Sequence, residues 1–162
     1  MTCQVSRLRT TFRTLATLAL LIGGCGQADD GPAVYRVTGK VLVDGRPAAR
    51  AQVIFHRSGG SANHPDPIAE TDGDGNFSPT TRLTRDGAPA GDYTLTILWP
   101  EIQVDHGEEI AGRDRLNGFY RYTSTSNLKV NIKEGENLLP PFELSSTVHP
   151  SLRAAGRGAP GR

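Results

Sequence analysis

Asp72, Asp74 and Asn76 stand on alternate positions of "ETDGDGNF" (Glu70 to Phe77), and oxygen-bearing side chains spaced in this way open a calcium-binding loop. Such a loop also needs Gly at its sixth position for the sharp bend and a bidentate Glu at its twelfth. Counted from Asp72, those positions hold Phe77 and Leu83, and the flanks are strand-like where helices are required. Asp and Gly in this order instead supply side-chain-to-backbone hydrogen bonds and positive φ angles, which is the chemistry of a tight hairpin. His56, His64, His106 and His149 are scattered, with no His or Cys pair at metal-ligand spacing, so neither a metal nor a cofactor is expected. "SGGSANHPDP" contains Ser58, Ser61, His64 and Asp66, the residue types of a nucleophile, a base and an orienter. A loop rich in Gly, Ser and Pro shows those types by default. The last candidate is aromatic: Trp99, Phe119, Tyr120 and Tyr122 flank and fill the stretch from Pro100 to Tyr122, together with His106 and several acidic residues. Flat apolar rings could stack on sugar or on partner side chains, and the competing expectation is that they fold back to cap the end of the domain.

A different chemistry is written near the N-terminus. Arg7, Arg9 and Arg13 precede the apolar run "LATLALLI" (Leu15 to Ile22), and "GGC" places small residues before Cys25. This is the layout of a secretory signal, and the apolar run is far shorter than the roughly 20 residues that span a bilayer. "LIGGC" resembles a bacterial lipobox. The resemblance implies diacylglyceryl transfer to the Cys25 thiol, cleavage just before it, and a mature chain that begins with a lipidated cysteine. Cys3 would leave with the signal, so no intramolecular disulfide is expected. Buried acyl chains add about 0.8 kcal/mol of membrane affinity per methylene, so two or more chains anchor the protein durably. "GQADDGPA" then reads as a flexible tether.

Composition agrees with a single exported domain. The chain has 162 residues, 36% hydrophobic and 22% charged, with 19 Gly and 11 Pro, enough for one self-sufficient core rich in turns. Removing the signal takes away three arginines and leaves 15 basic against 17 acidic residues. Nothing in that balance favours nucleic acid.

The elements that must position these side chains follow a period of two. Tyr35, Val37, Val41 and Val43 alternate with Arg36, Thr38 and Lys40, and Val53 and Phe55 share one face of "AQVIFH". Tyr93, Leu95, Ile97 and Trp99 lie opposite Thr94 and Thr96, and Leu128, Val130 and Ile132 lie opposite Lys129, Asn131 and Lys133. Asp44-Gly45 and Glu134 to Asn137 supply turns, while Pro140 and Pro141 place the final strand at a sheet edge. No amphipathic helix of useful length appears. The pattern predicts an all-β chain, a single antiparallel β-sandwich of about seven strands. It divides into a signal peptide (1–24), a tether (25–33), the sandwich (34–145) and a disordered tail (146–162) whose arginines could touch anionic lipid weakly.

"VTGKVLVDGRPAARAQVIF", "ETDGDGNF" and "GAPAGDYTLTI" resemble the carboxypeptidase regulatory-like group of transthyretin-like domains. "LNGFYRYTSTSNLKVNIKEGENLLPPFEL" resembles the closing strands of small bacterial lipoproteins that carry such a domain. The resemblance implies a noncatalytic structural or protein-interaction module of the cell envelope, whose partner is an envelope protein or polysaccharide. The enzymes of that fold, hydroxyisourate hydrolases, place a histidine in the first strand and end in Tyr-Arg-Gly-Ser; this chain has neither. The alternative expectation is a carbohydrate-binding module using Trp99, His106, Phe119, Tyr120 and Tyr122.

Overall fold

The computed structural model describes residues 31–59 and 65–147. Cys25, the signal and most of the tether, His64, and the tail from Val148 lie outside these residues. The chain forms β1 (Val34–Tyr35), β2 (Val37–Val43), β3 (Arg46–Pro47), β4 (Gln52–Arg57), β5 (Ile68–Glu70), β6 (Asn76–Phe77) and β7 (Ala88–Pro89). It continues with β8 (Gly91–Leu98), β9 (Pro100–Asp105), β10 (Glu108–Asp114), β11 (Lys129–Ile132), β12 (Asn137–Leu138) and β13 (Phe142–Leu144).

These segments build an all-β sandwich. One sheet has the order β11-β8-β4-β5, with every pairing antiparallel. The other is organised around β2, which changes partners along its length: β3 and β6 pair with it antiparallel, β12 and β13 parallel. The segments therefore outnumber the expected strands, and the closing strand runs parallel to the opening one, where the sequence suggested a wholly antiparallel sandwich. Connection length explains this, because the chain crosses the whole domain between β2 and β12, far enough to return in either direction. Inward residues of both sheets form one core, in which Val37, Val41 and Val43 meet Val53, Phe55, Tyr93, Leu95, Ile97 and Leu144. The rings of Phe77, Phe55 and Tyr93 run edge to face, with centroids 6.2 and 5.9 Å apart. Val130 packs against this core but is only half-buried, and Ile132 is the fully buried residue of β11.

The alternation is one-sided on β2 but not on β8. Thr94 and Thr96 are buried, although their parity pointed them at water. β8 lies between β4 and β11, and long side chains from both neighbours fold over its outer face. Lys129 Nζ donates to Thr94 Oγ1 at 2.5 Å, and His56 Nε2 meets Thr96 Oγ1 at 2.9 Å.

Several turns are held by single aspartates. Both oxygens of the Asp72 carboxylate accept from its own hairpin: Oδ1 from the N–H groups of Asp74 and Asn76, Oδ2 from the Asn76 amide. Asp86 accepts from the N–H groups of Thr81, Arg82 and Leu83, and Asp114 from those of Trp99, Leu116 and Gly118. Each satisfies donors that a tight bend would otherwise leave unpaired.

Candidate functional site

The bulge between β12 and β13 produces a concave feature. Asn137 and Leu138 pair with Val37 and Thr38, while Phe142 pairs with Val41. Three residues, Leu139 to Pro141, therefore span the length that β2 covers with two, Gly39 and Lys40. Neither proline can donate to a ladder, so the C-terminal chain arches away here instead of zipping closed. Beside the arch lies a groove of about 960 Å3, within the size range of small-ligand sites. Leu138, Leu139, Pro140 and Pro141 form one apolar wall; Thr38 and Lys40, Glu70 to Asp72, Asn76 to Ser78, and Arg85 complete it. Leu138 is 84% exposed.

The groove's charges differ in how far they are committed. Asp72 sits below the ordinary carboxylate value of 3.8, chiefly because the Asn76 N–H bonds its ionised form and, in lesser part, because Lys40 is near. By contrast, the side chains of Lys40, Glu70 and Arg85 make no hydrogen bond or ion pair among the described residues. Charged groups held in a concave site without hydrogen bonds or ion pairs of their own remain available to a ligand, although Lys40 already feels the Asp72 carboxylate.

The aromatic residues singled out in the sequence do not form one surface. Tyr120 is 2% exposed, and its hydroxyl accepts from the Ser145 N–H, so it is a core residue and not a stacking platform. Phe119 packs against the core beside it. Trp99 is half-buried, donates from Nε1 to the Ala49 carbonyl at 2.9 Å, and carries the Arg115 guanidinium 4.8 Å over its ring. Tyr122 alone of the four rings is well exposed, at 59%. The physical cause is the turn series after Asp114, which brings Leu116, Phe119 and Tyr120 back under the sandwich while the Ile97 N–H donates to the Tyr120 carbonyl. His106 lies apart from all of them, at the tip of the β9–β10 hairpin, with Nδ1 2.7 Å from Asp105 Oδ1.

That hairpin occupies most of the stretch from Pro100 to Tyr122, which the sequence presented as a long connection between strands. Its turn is His106-Gly107, both with positive φ (49° and 87°), the conformation that lets a two-residue loop match strand twist. Ile102 and Val104 before it and Ile110 after it were the available signal, weakened because His-Gly is a less usual turn pair than Asn-Gly or Asp-Gly.

Asp66 finds a histidine in His56. Its Oδ2 lies 2.7 Å from His56 Nδ1, while His56 Nε2 meets Thr96 Oγ1. Orienter, imidazole and hydroxyl are thus in line. Thr96 is buried in the middle of β8 and is no part of the groove, so the arrangement acts as a cross-strand clamp tying β4 to β8 and to the segment leading into β5. Among the described residues no three His, Cys, Asp or Glu side chains gather as a metal site, and no helix is long and apolar enough to cross a membrane.

No protein-family model matches this chain, and no curated protein matches it. Solved structures similar to it include (S)-allantoin synthase, 17% identical over 71% of this chain and 42% of that one, with a TM-score of 0.40. A DUF3823 family protein from Parabacteroides merdae is 16% identical over 71% and 46%, TM-score 0.37. A Pseudomonas aeruginosa protein described as a "putative carbohydrate binding protein" is 12% identical over 72% and 97%, TM-score 0.36. The chain spans less than half the length of the first two. At these identities and scores the likenesses carry no argument about activity or ligand.

Proposed function

We propose that this protein is a lipid-anchored, extracytoplasmic β-sandwich that serves as a noncatalytic protein-interaction module of the bacterial cell envelope, related to the carboxypeptidase regulatory-like domains. The observation that carries the binding role is the groove at the Pro140-Pro141 arch, where an apolar wall faces the uncommitted charges of Lys40, Glu70 and Arg85. Such a mixture suits a peptide segment better than a sugar. Sugar rings are usually met by flat aromatic faces, and the one ring in the groove belongs to Phe77, which is buried. The anchoring role is supported by the lipobox at Cys25.

One set of membrane extractions tests both parts, using wild type, Cys25→Ser, and Lys40→Glu combined with Arg85→Glu. The wild type should fractionate with membranes and weigh more than residues 25–162 by the mass of its lipid. Cys25→Ser should carry no lipid mass. The groove variant should stay lipidated and folded while losing the protein that co-extracts with wild type. An unmodified Cys25 would remove the anchor, and a partner retained by the groove variant would remove the site.

A further inference from the structure

The β9–β10 ribbon carries a second surface, independent of the groove. The two strands pair only with each other among the described residues, so both outer edges are unpaired. The base is firmly held: the Asp114 carboxylate accepts from three N–H groups, and Trp99 and Arg115 lock the point where the chain leaves the sandwich. The shaft is not. Val104 is 71% exposed and Ile110 is 42% exposed, and their registers, with Glu109 and Gln103 respectively, put them on opposite faces of adjacent rungs.

Charge at the tip goes against what folding alone would choose. Asp105 and Glu108 are directly opposed partners, a like-charge pair that destabilises a hairpin. Glu109 is paired with Arg50 at 2.8 Å and Glu101 with Arg113 at 3.4 Å, whereas Glu108 has no ion pair among the described residues. Asp105 is met only by its neighbour His106, with Nδ1 2.7 Å away, and an edge-exposed ribbon that carries apolar side chains and an acidic rung goes against local rules.

We infer that the tip of this ribbon inserts into a slot on a basic protein partner. Apolar groups on both faces fit a slot, because a flat partner would cover only one of them. The acidic tip selects cationic walls, and it disfavours an anionic lipid surface, which would repel it.

A photo-reactive benzophenone amino acid placed singly at Val104, at Ile110 and, as a control, at the exposed Leu83 tests this in the full-length protein in its membranes. Discrete protein adducts are expected from positions 104 and 110 and none from 83. Glu108→Lys should reduce both adducts at least tenfold, as should about 0.5 M salt, which screens exposed charges. The same substitution turns a like-charge rung into an opposite-charge one, so its melting temperature should equal or exceed that of wild type, which separates lost docking from lost folding. Adducts from one face only, to a second copy of this chain or to lipid, or adducts indifferent to Glu108→Lys, would overturn the inference, as would the absence of any adduct.

Discussion

Gly39 sits in the middle of β2 directly opposite Phe77, and the Phe77 ring occupies the space a side chain would need. A Cβ built on Gly39 would lie 2.4, 2.8 and 3.1 Å from Cζ, Cε1 and Cε2 of that ring. Carbon atoms in contact prefer about 3.5 to 4.0 Å, so Gly39→Ala requires the ring to retreat by roughly 1 Å. Two core rings oppose that retreat. Phe142 stacks on it with centroids 6.2 Å apart, Phe55 meets it edge to face, and both belong to the core. Overpacking of a filled core costs about 1 to 3 kcal/mol, and the reduced entropy of the unfolded chain returns about 0.4 to 1, leaving a net loss near 1 to 2 kcal/mol. For a domain of this size each kilocalorie moves the melting temperature by about 3 to 6 °C. The control is Gly73→Ala, where nothing lies within 4 Å of the added Cβ and the unfolded-state effect acts alone, so that variant should match or slightly exceed wild type. Combining Gly39→Ala with Phe77→Leu should cost less than the sum of the two single changes, because the shorter side chain frees the contested volume. The measurement is urea or thermal unfolding of wild type and the four variants. If Gly39→Ala behaves like Gly73→Ala, the ring does not cover the glycine and the pairing of β6 with β2 is misplaced.

Two further outcomes follow from the same structure. Phe55→Ala should cost about 3 to 5 kcal/mol by denaturant titration, since its ring is fully buried between Phe77 and Tyr93; His56→Ala should cost about 1 kcal/mol through the lost clamp to Asp66 and Thr96, and equal costs would show the β4 register to be wrong. Burial works to raise the Asp86 carboxyl, but the N–H groups of Thr81, Leu83 and Arg82 outweigh it and hold the folded value below 3.8, so its contribution is present above 3.8 and is lost as pH falls through the folded value. The stability difference between wild type and Asp86→Asn should therefore hold steady at neutral pH and shrink below 3.8, and a difference that stays constant to pH ~2 would contradict the bonding described.

The parts of the fold that bury apolar surface were legible because burial leaves a period of two in the chain. Val37, Val41 and Val43 on β2, and Tyr93, Leu95 and Ile97 on β8, all face the core as their spacing requires. Turn chemistry was equally readable at Asp44-Gly45, where both residues have positive φ, and at Asp72 to Asn76, where the carboxylate closes the hairpin on itself. Pro140 and Pro141 marked an edge correctly, but they could not announce that the edge strand runs parallel to β2. Direction is set by a pairing about one hundred residues away, and no local pattern encodes it. Thr94 and Thr96 misled for a related reason: a polar residue opposite a core face looks solvent-exposed until a neighbouring strand lays a lysine or a histidine across it.

The candidate sites were harder to read, and for opposite reasons. The groove exists because two strands fail to close over Gly39 and Lys40, so its lining comes from five separated segments, each with an ordinary local pattern. The ribbon is contiguous, yet it buries almost nothing, and without burial the alternation of Ile102, Val104 and Ile110 has no core to be measured against. The aromatic residues nearby drew attention because large rings are the usual mark of a binding surface. In this domain Tyr120 and Phe119 serve packing, while the surface left outside belongs to smaller side chains and uncommitted charges. With the core taking up nearly all the rings, shape and charge are what remain outside it, and the ribbon tip and the Pro140-Pro141 groove are where the proposals above place recognition.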